Sequence, residues 1–317
     1  MGNTESHDES ADLENVSEQQ LVNQSFFFDK YNWCPSLPGF EYDTITETML
    51  KRKFNLDQNF KKQDYVDLRN NFPQILSINN LPFNPIVSVV YILHYQLLKN
   101  NLPIFPPSAL YIYKNISFYK NIKSLFSFEI IFESIKNFGF CSENEFRTLE
   151  SNINQSIPNK LIEKSTAFKF IQIYKIEQKL ENIKTILQNE YPILVGFSVY
   201  YDLSSIDSYM WMPDKSEDKK LGGLTGVLVG YIEERKMFIM ASTFGKYFGN
   251  NGYIMIPYEY IISNKYTGEL YTLDFKRERV EGYINQRKEM VNLQNNVEIK
   301  VKNKKVYEKD SFGDLFR

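Results

Sequence analysis

Two cysteines, Cys34 and Cys141, and two histidines, His7 and His94, are the whole supply of thiol and imidazole in these 317 residues. Such groups could make a thiolate–imidazole pair, in which a base withdraws the thiol proton and the sulfur attacks a carbonyl carbon. Their placement argues against that chemistry. A reactive thiolate needs an electropositive, partly exposed setting such as a helix N-terminus, yet Cys34 lies in the extended run Tyr31-Asn32-Trp33-Cys34-Pro35. Cys141, in Phe138-Gly139-Phe140-Cys141-Ser142-Glu143, has the surroundings of a packed core thiol. His94 falls well inside an apolar helix that starts near Asn84, about 15 Å from its N-terminus. Thr225 and Ser242 carry hydroxyls with no base to activate them. Two distant thiols and two distant imidazoles give no metal-ligand spacing, so neither a metal nor a cofactor is expected.

The elements that would position these groups fall into two halves. Val87, Val90, Tyr91, Leu93, Leu97 and Leu98 cover most of the circumference of a helix over 85–99, as in a buried central helix. Asn84 is a suitable N-cap for it and Pro85 a favoured first helical residue. Further helices are expected over 44–55, from Pro106-Pro107 onward, over 120–137 up to Gly139, and over 175–188. Apolar, β-branched runs at 166–173, 192–201, 222–231, 236–243 and 252–256 read as an antiparallel sheet. Helices first and strands second is an α+β order.

The run Leu221-Gly222-Gly223-Leu224-Thr225-Gly226-Val227-Leu228-Val229-Gly230-Tyr231 resembles the strand that carries the histidine of papain-like cysteine peptidases, Gly-Gly-His-Ala-Val leading to Val-Gly-Tyr. Residues 31–43 resemble the extended lead-in of that family, and Tyr65-Val66-Asp67-Leu68-Arg69 the strand before its catalytic helix. Phe238–Gly245 is similar to the family's Arg-Asn-Ser-Trp-Gly stretch, and Phe248-Gly249-Asn250-Asn251-Gly252-Tyr253 to Trp-Gly-Asp-Asn-Gly-Tyr. The resemblance spans about residues 31–275 and implies a two-lobed papain-like fold, a helical lobe with a central helix beside an antiparallel sheet. It also implies four site positions, all changed here: Ile78 for the oxyanion glutamine, Asn84 for the cysteine, Leu224 for the histidine and Ser242 for the asparagine.

The amino-terminal Met1-Gly2-Asn3-Thr4-Glu5-Ser6 fits a myristoylation pattern with Gly2 as acceptor. The arm that follows is acidic, with no Lys or Arg before Lys30, so a single acyl chain would lack the basic patch that usually supports it. A net charge of −2 and pI near 5.9 give no reason to expect nucleic-acid binding. With two cysteines and no secretory apolar region, the chain reads as intracellular, on the cytosolic face of membranes or in a virion, and not secreted. Its Asn-, Ile-, Lys-, Phe- and Tyr-rich usage suits an AT-rich genome such as that of a large DNA virus.

Three parts are therefore expected: a flexible acidic arm over 1–30, a papain-like domain over 31–276, and an extension over 277–317 containing a strand at Val297–Val301. The function expected is that of a catalytically inactive papain-like protein, structural or binding a protein partner or extended peptide, with a possible membrane link through Gly2. The alternative is a hydrolase or transferase with a rebuilt, non-thiol site around Asn84 and Leu224.

Overall fold

The computed structural model describes residues 31–36, 42–53, 62–76, 81, 83–119, 126–203, 206–213, 219–276, 278–282 and 285. The acidic arm and most of the C-terminal extension, including Gly2 and the strand expected at 297–301, lie outside them. The chain first lays down β1 (Thr44–Ile45), α1 (Glu47–Lys53) and β2 (Tyr65–Asp67). The helices α2 (Asn84–Lys99), α3 (Ala109–Tyr119), α4 (Phe128–Phe138) and α5 (Asn159–Ser165) follow. Then come β3 (Ile171–Ile176), α6 (Leu180–Gln188), β4 (Ile193–Val199), β5 (Gly222–Ile232), β6 (Met237–Ala241), β7 (Tyr253–Pro257), α7 (Tyr258–Ile262) and β8 (Thr267–Phe275).

The strands form one sheet in the order β1-β3-β8-β4-β5-β6-β7, with β2 added on β5. Every pairing is antiparallel except the short parallel contact of β1 with β3. β8 was not expected from the sequence, yet it sits between β3 and β4 and is buried along most of its length. Its alternation is obscured by Gly268 and by Glu269, a carboxylate in an interior position.

Helix α2 is the hub of the helical lobe. It contains Ile86, Val87, Val89, Val90 and Ile92, β-branched residues that lower intrinsic helicity. All of them are fully buried, so tertiary burial holds the helix together where propensity does not. Gln96 fastens it to the sheet by donating from Nε2 to the Leu273 carbonyl at 2.7 Å. Tyr95 donates to the Glu190 carbonyl at 3.1 Å.

At the far end of β5, the Glu233 carboxylate accepts from the buried Lys184 ammonium at 2.6 Å and also pairs with Lys236. The hydrogen bonds from Lys184, then Lys236, hold its carboxyl down at about 2, against an ordinary 4.5. A carboxyl lowered in the folded state stabilises above its free value, and that contribution disappears as pH falls from 4.5 toward 2. Thermal melts across this acid window should show the loss in the wild type and a flatter profile in Glu233→Gln.

Candidate functional site

The start of α2 faces the beginning of β5. Asn84 occupies the first helical position, one residue inside the cap expected for it; the cap is Phe83, whose side chain cannot accept a hydrogen bond. Thr225 Oγ1 donates to the Asn84 carbonyl at 3.2 Å, and both residues are buried. Leu224 lies opposite Phe197 of β4. Successive strand residues point to opposite faces, so Leu224 and Thr225 are turned to different sides, and Thr225 is the one that meets the helix.

Sequence reasoning saw Thr225 only as a nearby hydroxyl. The β5–β6 pairing shifts register between Leu228 and Gly230, while β5 pairs with β4 without a break from Gly222 to Leu228.

Ser242, at the end of β6, is joined to the same junction. Its carbonyl accepts from the Tyr91 hydroxyl of α2 at 3.4 Å, and its Oγ accepts from the Phe244 amide at 3.0 Å. Thr243 Oγ1 donates to the Thr225 carbonyl at 3.5 Å. The hydroxyl protons of Thr225, Thr243 and Tyr91 thus point to backbone carbonyls. Burial pushes the Tyr91 phenol well above its ordinary value, which removes it as an acid near neutral pH. The structure therefore gathers Asn84, Thr225 and Ser242 at one junction, while Ile78 lies outside the described residues.

The remaining candidate groups stand elsewhere. His94 is half-buried farther along α2, and burial lowers its imidazole, which favours the neutral form. Burial pushes the Cys34 thiol up, with the Glu269 and Glu129 charges adding to it. A nucleophilic thiol requires the opposite shift. Burial also raises the Cys141 thiol strongly. Among the described residues no group of three or more His, Cys, Asp or Glu could hold a metal ion. No helix among them is long and apolar enough to cross a membrane.

An extended segment of the chain bridges the sheet and the helical lobe. Residues 31–36, here termed the strap, run between β5 and Phe126, the residue two before α4. Trp33 donates its amide to the Gly223 carbonyl at 3.1 Å, and Gly223 donates back to Tyr31 at 3.4 Å. On the other side, Cys34 donates to Phe126 at 3.1 Å and Phe126 donates to Asn32 at 2.9 Å. Trp33 is only 3% exposed. Its indole lies on Gly196 of β4 and Gly268 of β8, where an added Cβ would come within 2.2 and 2.9 Å of ring carbons. At Gly223 of β5 an added Cβ would meet the Trp33 carbonyl oxygen at 2.1 Å. Glycines on three neighbouring strands make the seat for this residue.

A scan against protein families returns no match. An uncharacterized peptidase C1-like protein of Acanthamoeba polyphaga mimivirus is 28% identical over 193 residues, 56% of this chain and 62% of that protein. The match thus spans less than two thirds of the relative's own length. Among solved structures, xylellain, a cysteine protease from Xylella fastidiosa, superposes with a TM-score of 0.69 at 20% identity, covering 78% of this chain and 97% of that one. A digestive procathepsin L 3 of Tenebrio molitor larval midgut gives 0.57 at 12% identity, over 80% and 79%. These likenesses support a relationship to the papain-like cysteine peptidases. The fold is papain-like: a helical lobe and a sheet lobe that meet where the start of the central helix faces Thr225.

Proposed function

We propose that this protein is a catalytically inactive papain-like module with a structural or binding role. The observation that carries the reading is the Thr225 hydroxyl, which donates into the Asn84 carbonyl at the helix start. Acyl transfer by a hydroxyl needs a base that takes its proton and a route to a substrate carbonyl. Here the proton is directed to the backbone. A rebuilt hydrolase or transferase site would require Lys, His or a carboxylate beside Thr225 or Ser242. The hydrogen bonds at those residues run to main-chain atoms instead.

The binding role is supported by the setting of the strap, an extended segment held by main-chain hydrogen bonds on both sides and by one aromatic anchor. This is strand addition, a mode in which the backbone supplies affinity and a side-chain seat supplies selectivity. We further propose that Gly2 is acylated and links the protein to membranes, as a virion component of a large DNA virus. The composition and the mimivirus relative support that setting. One acyl chain gives only weak attachment, on the order of 10⁴ M⁻¹, so a protein partner or many copies must add to it.

Protein purified from eukaryotic cells tests both parts. Its intact mass should correspond to loss of Met1 and gain of a myristoyl group, and a thiol-directed peptidase probe should add nothing. Labelling at Cys34 or Cys141 would overturn the inactive reading, and an unacylated Gly2 would overturn the membrane link.

A further inference from the structure

Tyr31, the first residue of the strap, is pinned beside the start of β5. Its carbonyl accepts from the Gly223 amide and its hydroxyl from the Leu203 amide, each at 3.4 Å. A Cβ on Gly222 would lie 2.6 Å from that of Tyr31. The bridge of Asn32 with Gly223 is parallel, so moving back along the strap is also moving back along β5. The chain ahead of Tyr31 therefore comes first to Leu221, Lys220 and Lys219, all three exposed.

An aromatic platform stands at the same exit. Leu221 donates its amide to the Val199 carbonyl at 2.7 Å. Two residues on from Val199, Tyr201 stacks on Trp211 with 4.3 Å between ring centroids and 10° between planes. The Tyr201 hydroxyl accepts from the Trp211 amide at 3.1 Å and donates to the Trp211 carbonyl at 2.8 Å. Met210 next to it is buried and donates its amide to the Met255 carbonyl of β7 at 2.8 Å. The indole is thus fixed from several sides and yet 49% exposed, and Leu221 is 43% exposed. A ring already fixed loses little freedom on being covered.

The sequence supplies an occupant for this surface. Ser25-Phe26-Phe27-Phe28-Asp29-Lys30 directly precedes Tyr31, and three adjacent phenyl rings make an apolar surface that favours cover over water. Phe28 is three residues from Tyr31, about 10 Å of extended chain, which confines its reach to this exit. The charges agree in order. Continued backward from Asn32 and Gly223, the parallel alignment would bring Lys30 level with Leu221 and Asp29 level with Lys220. Asp202, beside Leu203, is the acid available to Lys30. We propose that Phe26–Phe28 of this chain's own arm dock on the surface made by Tyr201, Trp211 and Leu221, with Asp29 turned to Lys219 and Lys220. The docking stands apart from acylation and from the binding role above. It makes the tether that ends in Gly2 begin near residue 25 instead of at the strap.

Trp211 reports the docking in the full chain. Of the two tryptophans Trp33 is only 3% exposed, so the emission open to acrylamide belongs to Trp211. Phe26→Ser, Phe27→Ser and Phe28→Ser together should raise its quenching constant roughly twofold and shift emission to the red, as a covered ring enters water. Lys219→Glu with Lys220→Glu should give part of that rise, and Asp29→Lys added to the pair should restore protection. Far-UV circular dichroism should stay unchanged throughout. Quenching that is equal with and without the three phenyl rings would overturn the proposal. Protection that fades on dilution would overturn it too, by assigning the cover to a second copy. A photoreactive benzoylphenylalanine in place of Phe27 gives a reading that keeps the other rings. Its crosslink should map by mass spectrometry to residues 199–221, and a crosslink confined to any other part of the chain would refute the docking.

Discussion

Trp33→Ala should destabilise the protein by about 3–5 kcal/mol, the range for emptying a buried aromatic seat. At this domain size that is a fall of roughly 6–20 °C in Tm. The loss follows from where the ring sits, on Gly196 and Gly268 with Phe128 beside it at 6.1 Å between centroids. Glycines cannot move in to refill the space, so the cavity persists. The converse change, Gly196→Ala, should act on the same contact, because its methyl would stand 2.2 Å from the indole. Calorimetry on both variants, with Trp33→Phe as an intermediate, checks the assignment; a Trp33→Ala protein that melts with the wild type would refute it.

Gly139→Ala should be comparably damaging, at about 3 kcal/mol or more. Gly139 ends α4 at φ 70° and ψ −154°, a backbone state that side chains other than hydrogen rarely adopt. A Cβ there would also fall 1.8 Å from the Ser165 carbonyl oxygen, so α4 and α5 would have to separate. Because α4 carries Glu129 and Phe128, their displacement would loosen the floor under the strap as well. Gly282→Ala is the control, with nothing within 4 Å of its Cβ and an expected change within about 0.5 kcal/mol. Denaturant midpoints for the pair would separate the two outcomes.

The central helix and β4 to β7 were legible in the sequence because each buries a continuous or regularly spaced apolar run. Their observed limits differ from the expected ones by a few residues at most. Elsewhere local pattern and tertiary context parted. The segment 175–188, read as one helix, splits into the end of β3 and α6, since Ile171, Ile173 and Ile176 pair into the sheet or its core face. The segment 44–55 likewise yields a two-residue strand before α1. β8 escaped because an interior glutamate is invisible to a hydrophobic pattern. At the candidate site, the helix start at Asn84 was readable from Asn-Pro, whereas which face of β5 meets that helix depended on the tertiary packing of the two lobes. The lead-in segment was legible as extended, but its destination was set by glycines more than a hundred residues away.

The strap also has a mechanical meaning. Its hydrogen bonds to Gly223 on one side and to Phe126 on the other lie across its length, in two rows. Tension along the strap's own axis would load both rows together, in shear. Peeling would break them singly. If a partner or an acyl anchor ever pulls on the arm, the force arrives at a joint stitched to both lobes, and the joint resists by sharing the load until Trp33 slips from its seat. Slow extension in an optical trap, compared between the wild type and Gly196→Ala, would read that rupture as a single early step.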